Sequence, residues 1–381
     1  MKTYISNNVL RKKEKKHIKN EIDKVYLILI LVLLAFGTAM VFSASYPNAV
    51  KKFNDGFYYL KRQVLFLLIG LVLMYIFSNI STEIYEKFSP YYYGICIVLL
   101  IIVLFGGFSE GVAKRWLGVP GTSLSFQPSE LMKLGIILII SYFSSRVKKK
   151  GFLYEIVIPG ILLFLPCALV LLEKHLSGTL ILVFIGLSLL FMSGISVKKM
   201  VITYGSVGIA GAILFLITNE YAMKRILSFI NPSADILSDK WQTTQGLYAI
   251  GSGGFWGKGF FNSVQKFSYV SEPQNDFIFT IWCEEMGYIG AIFLIALYAL
   301  LIWRGFIIAY KAQNFFDSML AFGITMQVGI QTILNMLVVT DLIPNTGISL
   351  PFFSYGGSSL VILLFEMGIM LSISRKSRMI N

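Results

Sequence analysis

Apolar runs long enough to cross a membrane recur along this chain, and they restrict its fold more than any other feature. A helix needs about 20 apolar residues to cross about 30 Å of hydrocarbon. Such runs lie near residues 25–45, 63–82, 91–107, 130–145, 152–172, 178–194, 200–218, 276–303, 315–340 and 355–374. Charged residues make up only 14% of the 381, against about 25% in soluble domains. The sequence predicts an all-α polytopic membrane protein with about ten transmembrane helices.

The distribution of basic residues predicts the side on which each loop lies. With both termini cytoplasmic, Lys and Arg are about three times denser in the inner segments than in the outer ones. The chain then divides into a basic cytoplasmic tail (1–24), a membrane domain (25–374) with a large extracellular loop (219–275) between the seventh and eighth helices, and a short cytoplasmic tail (375–381). The N-terminal basic tract faces anionic lipid. It lacks aromatic residues that stack on bases, so no nucleic-acid partner is expected.

The sequence offers no nucleotide motif and few metal ligands. In the Gly-rich, aromatic stretch 245–262 the Gly-Lys pair is followed by Gly259 where a phosphate-binding loop needs Ser or Thr. Such glycines beside aromatics suit a backbone that packs closely at the membrane interface, and the alternative is a flexible polar loop. The first part of the long loop, 221–239, resembles a short amphipathic segment. His17 and His175 are the only histidines, so any acid–base chemistry falls to carboxylates.

Three carboxylates lie in or beside the eighth apolar run, in VSEPQNDFIFTIWCEEMG. A charged residue at the centre of a membrane helix costs about 2.5–3.5 kcal/mol on insertion scales, so each needs a partner, a pathway or a reaction. Asp276 precedes the run and is either the N-cap of the eighth helix, a catalytic group at its mouth, or both. Glu284 and Glu285 cannot face the same way, so at least one is expected to pair with another helix in a supporting role.

Other polar residues gather at the same predicted side of the membrane. Glu130 and Lys133 are three residues apart and share one helix face, as a local ion pair or as part of a polar cavity. Arg62 and the Lys114-Arg115 pair precede the second and fourth runs, where they either bind a phosphate at headgroup depth or anchor the interface.

The last pair of helices is joined through PNTGISLPFFSYGGSS. Its prolines interrupt helix, and its small residues favour close helix packing. A broken, hydroxyl-rich entrance is also typical of a ligand-lining segment. On that interpretation Ser354 and Ser358 are candidate substrate-binding residues.

Six ordered motifs carry a family resemblance: FYYLKRQ, KRWLG with QPSELMKL, SGTLIL, AIGSGGFWGKG, QKFSYVSEPQNDFIF with EEMGYIG, and PFFSYGGSS. In this order they resemble the SEDS proteins of shape, elongation, division and sporulation, which include RodA, FtsW and SpoVE. The resemblance covers nearly the whole chain beyond the basic N-terminal tail. The segments SEPQNDFIF and HLSGT are more like the FtsW and SpoVE branch than RodA, which typically has Pro-Asp-Leu-Gly-Thr at the second position.

The resemblance implies a peptidoglycan glycosyltransferase of a bacterial cytoplasmic membrane. Similar proteins polymerise lipid II into glycan strands at the outer face, for division or sporulation here, and work with a class B penicillin-binding protein that crosslinks them. Asp276 matches the essential Asp of the family. The other matched positions are Arg62, Lys114, Arg115, Glu130, Lys133, Glu284 and Glu285.

The chemistry of polymerisation fits these residue types. The acceptor 4-hydroxyl attacks the donor anomeric carbon as diphosphate leaves, so the reaction needs a base and cationic groups. We expect an inverting single displacement with Asp276 as the base, and Lys133, Arg62 or the Lys114-Arg115 pair, with Mg²⁺ or Mn²⁺, balancing the diphosphate. A lipid II flippase and a scaffold that only recruits the transpeptidase are the alternatives. The sequence shows no clear internal repeat between its halves, which argues against a flippase. A scaffold role leaves the outer polar groups unexplained.

Overall fold

The computed structural model describes residues 21–109, 114–118, 125–146, 151–218, 223, 229 and 239–376. Its helices are α1 Lys24–Phe53, α2 Tyr58–Ser78, α3 Thr82–Gly106, α4 Pro128–Arg146, α5 Leu153–Leu172, α6 Leu176–Met192, α7 Val197–Ile217, α8 Asp239–Ser252, α9 Ile278–Lys311, α10 Phe315–Val339 and α11 Gly357–Arg375. Within these described ranges, eight helices are long and apolar enough to cross a membrane: α1, α2, α3, α5, α7, α9, α10 and α11. The helices α4 and α6 lie on the fourth and sixth expected runs.

A helical, multi-pass membrane protein is therefore confirmed, while ten crossings and cytoplasmic termini stay predictions. Helix bounds differ most at the first, third and eighth runs, because further turns extend one end of α1, α3 and α9 eight or nine residues beyond the predicted runs. Asp23 begins α1 by accepting a hydrogen bond from the Tyr26 amide at 3.0 Å, as an N-cap does. Asn54 ends it in the left-handed conformation. Most of the N-terminal tail and the segment 221–239 lie outside the described residues.

Helix α4 lies at the centre of the bundle. Residues 132–141 are buried without interruption, because α3, α6 and α10 pack around the helix. By contrast, α2 and α7 expose many of their apolar side chains, as helices facing lipid do. Helices α2 and α11 pack extensively and closely, since a Cβ on Gly368 would lie 2.7 Å from the Met74 carbonyl oxygen. Most of α4 is thus held in protein instead of facing hydrocarbon.

Helix α9 is broken at Gly287, which has φ 67° and ψ −165°. The segment 253–259 fills the break, and the Lys258 amide donates to the Glu284 carbonyl at 3.0 Å. Further backbone bonds join this segment to α9 on both sides of the break, so the exposed backbone groups are satisfied. The flexible-loop alternative is wrong for this stretch. The sequence also did not predict that α8 runs through the Gly-rich region.

A small antiparallel sheet lies over the N-terminal end of α4. Its strands are β1 Phe108–Ser109, β2 Lys114–Gly118 and β3 Ser125–Phe126, in that spatial order, with Leu117 opposite Phe126. Successive side chains of a strand point to opposite faces. Lys114 and Arg115 therefore face opposite ways, and only one of them can face the helices below.

Candidate active site

A cavity of about 660 Å³ opens at one end of the helix bundle. Its walls come from the start of α2, the sheet, the starts of α4 and α6, Gln331 of α10, and the segments that precede α9 and α11. Pockets of this size are typical of small-molecule and cofactor sites. The sequence candidates that border it are Arg62, Arg115, Glu130, Lys133, Asp276 and Ser358.

Asp276 lies in the irregular segment before α9 and borders the cavity. It is not the helix cap, because α9 begins at Ile278 with Phe277 as N-cap and no side-chain cap bond. Its backbone carbonyl accepts a hydrogen bond from Asn335 Nδ2 at 2.8 Å. A Cβ built on Gly347 would lie 3.2 Å from Asp276 Oδ2, and Gly347 itself has φ +69°. Phe277 therefore takes the N-cap position that the sequence offered to Asp276, and a side chain at position 347 would be strained by its positive φ and would press on this carboxylate.

Glu130 and Lys133 form the expected ion pair, with Nζ 2.7 Å from Glu130 Oε2. Lys133 is only 4% exposed, and its Nζ also donates to Gln331 Oε1 on α10 at 3.2 Å. Both residues border the cavity at the same time. The two interpretations of this pair therefore hold together, since the local ion pair is also part of a polar cavity wall.

Arg62 borders the cavity from α2. Its guanidinium lies 4.5 Å from the Tyr58 ring centroid, a cation–π distance, and it also hydrogen-bonds Tyr355. Burial raises the pKa of Tyr355, and Arg62 opposes that rise. Because aromatic rings hold the guanidinium on two sides, Arg62 presents a charge of defined position to the cavity.

His175 and Glu173 precede α6, and the sequence did not single them out as site residues. The His175 ring borders the cavity, with Nδ1 3.1 Å from Gln127 Nε2 and 3.3 Å from Ser129 Oγ. Burial lowers the pKa of His175 to about 3, assisted by Arg115 and Lys133, so the ring is neutral near pH 7. Burial raises the pKa of Glu173 to about 8, against the opposing effect of Arg115. The sequence signal was a Glu and a His two residues apart, just before a helix start.

Two sequence candidates do not border the large cavity. Lys114 is exposed at the start of β2, on the face opposite to Arg115. Ser354 is buried, where it accepts from the Leu350 amide at 2.8 Å and donates to the Asn275 carbonyl at 2.6 Å. The hydroxyl of Ser354 thus joins two protein segments, and substrate binding by Lys114 and Ser354 stays a prediction. Ser358 does border the cavity, and its hydroxyl donates to the Ser125 carbonyl at 2.8 Å.

Glu284 and Glu285 lie away from the cavity and are completely buried. Glu284 accepts from Lys258 Nζ at 2.6 Å. Glu285 accepts from Lys266 Nζ at 2.9 Å and from the Ser43 hydroxyl of α1 at 2.6 Å. The expected pairing with another helix is present at Glu285, and both carboxylates fasten the segment before α9 to the bundle.

The positive charge at the cavity comes from cationic side chains of α2, β2 and α4, namely Arg62, Arg115 and Lys133. Across the part of the chain that the structure describes, no three His, Cys, Asp or Glu side chains are grouped closely enough to hold a metal ion.

Comparisons with known proteins give the cavity a chemical context. The FtsW/RodA/SpoVE family, described as cell cycle proteins, matches residues 23–379. Stage V sporulation protein E of Bacillus subtilis (strain 168) is 38% identical over 94% of this chain and 99% of its own length. The probable peptidoglycan glycosyltransferase FtsW of Geobacter sp. (strain M18) is 36% identical over 93% of this chain and 97% of its own. A chain from the structure of a peptidoglycan synthase complex that coordinates polymerization and crosslinking superposes with a TM-score of 0.77 at 26% identity, covering 93% of this chain and 98% of that one.

Proposed function

The chain belongs to the FtsW/RodA/SpoVE family, on its FtsW/SpoVE-like branch, and is a peptidoglycan glycosyltransferase; on this premise we propose that the cavity binds lipid II and that Asp276 is the general base of polymerisation. One observation carries the proposal. Asp276 borders the same cavity as Arg62, Arg115 and Lys133, although these residues come from four distant parts of the chain. A carboxylate facing three cationic side chains suits a reaction that removes a proton while a diphosphate departs.

The cationic side chains bind the diphosphate of the donor. Arg62 and Arg115 offer planar guanidinium groups, which bind phosphate oxygens in pairs, and Lys133 adds a compact point charge. Lys133 already has Glu130 as its partner. The pair keeps the Lys133 ammonium group oriented when the cavity holds no substrate, and an arriving diphosphate competes with Glu130 for that group.

Asp276 then accepts the proton of the acceptor 4-hydroxyl. The hydroxyl oxygen forms a bond to the anomeric carbon of the donor, while the bond from that carbon to the diphosphate oxygen breaks. The leaving lipid diphosphate takes the electron pair, and its negative charge stays beside the cationic side chains. An α-linked donor gives a β-linked strand by a single inversion, which needs one base and no covalent intermediate.

A divalent cation, a protein partner and a membrane face also belong to the proposed function. A divalent cation, Mg²⁺ or Mn²⁺, belongs here only as a counter-ion of the diphosphate, and no step passes through it. The related chain in the synthase complex supports a class B penicillin-binding protein as partner. The reaction is assigned to the outer face of the cytoplasmic membrane, in division or sporulation, without nucleic acid.

The test is polymerisation of purified lipid II by the Asp276→Asn protein with its cognate transpeptidase. The matched control is Asp55→Asn, because Asp55 is an exposed carboxylate paired with Lys61 at 2.8 Å outside the cavity. We expect glycan ladders from the control and a loss of at least about 100-fold with Asp276→Asn, as general-base removal gives. Wild-type ladders from Asp276→Asn would remove Asp276 from this role. Lipid movement without ladders from the unaltered protein would favour the flippase.

A further inference from the structure

The carboxylate at position 276 lies in a segment without helical hydrogen bonds, so something else must fix its place. Asn335, completely buried on α10, provides that support. Its Nδ2 donates to the Asp276 carbonyl at 2.8 Å and to the Ile348 carbonyl at 2.6 Å. One amide group thus uses both of its N–H bonds to join the segment before α9 to the segment before α11.

Two further hydrogen bonds join the segment before α9 to the segment before α11. The Ser354 hydroxyl donates to the Asn275 carbonyl at 2.6 Å, and the Tyr355 amide donates to the Gln274 carbonyl at 2.8 Å. Three consecutive carbonyls, of residues 274–276, are therefore held by groups from α10 and the segment that follows it. Among these donors, Asn335 is the one that holds Asp276 itself.

The same face of α10 also holds the cationic side of the cavity. Gln331 lies four residues before Asn335, one helical turn away, and accepts from Lys133 Nζ at 3.2 Å. Its Nε2 donates to the Ser349 carbonyl at 3.1 Å, next to the Ile348 carbonyl that Asn335 binds. The side-chain amides of Asn335 and Gln331 thus lie about 6 Å apart along one helix. The first binds the backbone of Asp276, the proposed base, and the second binds the Lys133 ammonium group.

We propose that Asn335 is a positioning residue for Asp276, and that with Gln331 it sets the separation between the base and Lys133. The inference rests on the proposed role of Asp276. Reacting groups must be placed to within a fraction of an ångström, and a displacement of about 1 Å costs about 100-fold in rate. A rigid helix is better suited to hold this separation than the irregular segments it joins. Asn335 touches no substrate, so its loss changes turnover more than binding.

The test uses two variants of the purified protein with its transpeptidase and lipid II. Asn335→Leu removes both donors at similar volume. Asn335→Asp keeps the shape of the side chain but places a carboxylate oxygen where the Nδ2 donor was, facing the carbonyl oxygens of Asp276 and Ile348. Protonation of the new carboxyl group restores one donor. The matched control is Thr332→Val on the same helix, because the buried Thr332 hydroxyl has no hydrogen-bond partner within the described ranges.

We expect kcat to fall about 10- to 100-fold in both Asn335 variants, with KM within about twofold of the control. We also expect the kcat of Asn335→Asp, relative to the unaltered protein, to rise as pH is lowered from 8 to 6, while that of Asn335→Leu stays constant. A kcat close to the control in either variant overturns the inference. The inference is also overturned if kcat falls, KM rises and thermal stability falls together, and if kcat does not recover at lower pH, since that combination marks a purely structural role.

The Asp276→Asn protein in the same assay separates the two proposals. If Asp276→Asn is inactive and the Asn335 variants resemble the control, only the positioning role fails. If Asp276→Asn is active, the base assignment fails and the positioning role fails with it.

Discussion

Replacing Lys266 with Met should destabilise the protein strongly, because its ion pair with Glu285 is almost fully buried. Lys266 is 2% exposed and Glu285 is 0% exposed, with 2.9 Å between Nζ and Oε1. Lys266 Nζ also donates to the Ser43 hydroxyl at 3.1 Å and to the Phe261 carbonyl at 2.6 Å. Removing one partner of such a pair leaves an uncompensated buried charge, which costs about 3–5 kcal/mol.

The magnitude can be assigned to the pair by a double-mutant cycle. Thermal unfolding in detergent is compared for Lys266→Met, Glu285→Gln and the double variant. The double variant should lose less stability than the sum of the single ones, because neither charge then remains buried alone. Lys52→Met is the control, since its ion pair with Glu272 is about half exposed and should contribute only about 0–1 kcal/mol. Single effects that simply add would refute the claim that the two charges depend on each other.

Three further predictions concern the cavity and the segment that precedes α6. Gly347→Ala should lower polymerisation about tenfold or more. The new methyl group crowds the Asp276 carboxylate, and a non-glycine backbone is strained at φ +69°. Glycan ladders equal to those of the unaltered protein would contradict this. Arg62→Ala should raise the KM for lipid II about tenfold, whereas Lys61→Ala, at an exposed cation outside the cavity, should leave it unchanged; equal KM values would remove Arg62 from substrate binding. Glu173→Gln should raise the unfolding midpoint above that of the unaltered protein at pH 8.5 but not at pH 5. The pKa of Glu173 is raised by burial from 4.5 to about 8, so its ionisation costs the fold up to about 4 kcal/mol as pH rises between those values, and a midpoint difference that does not vary with pH would refute this.

Hydropathy was sufficient to find every described helix except α8, because crossing hydrocarbon demands a long apolar run. Even α4, whose residues 132–141 are all buried in protein, was found in this way. Helix α8 was missed since its polar, glycine-containing sequence has neither a long apolar run nor a clear period. The sheet was missed because its strands are two to five residues long and depend on one another for pairing.

The residue types of the site could be predicted, but their arrangement could not. Asp276, Lys133 and Glu130 were conspicuous because charges next to apolar runs are costly. Asn335 carries no such signal, since a single amide in a helix becomes significant only when its partners are known. The opposite faces of Lys114 and Arg115 follow from a strand that the sequence did not reveal.

The support of Asp276 by later parts of the chain has a consequence for biosynthesis. Asn335 is synthesised 59 residues after Asp276, and Ser354 comes 79 residues after Asn275, its own partner. At about 5–20 residues per second, roughly 3–12 s pass between translation of the base and of its amide support. A nascent chain that has not yet reached Asn335 therefore lacks the hydrogen bond that holds the segment with the proposed base, and this support forms only after α10 has been synthesised.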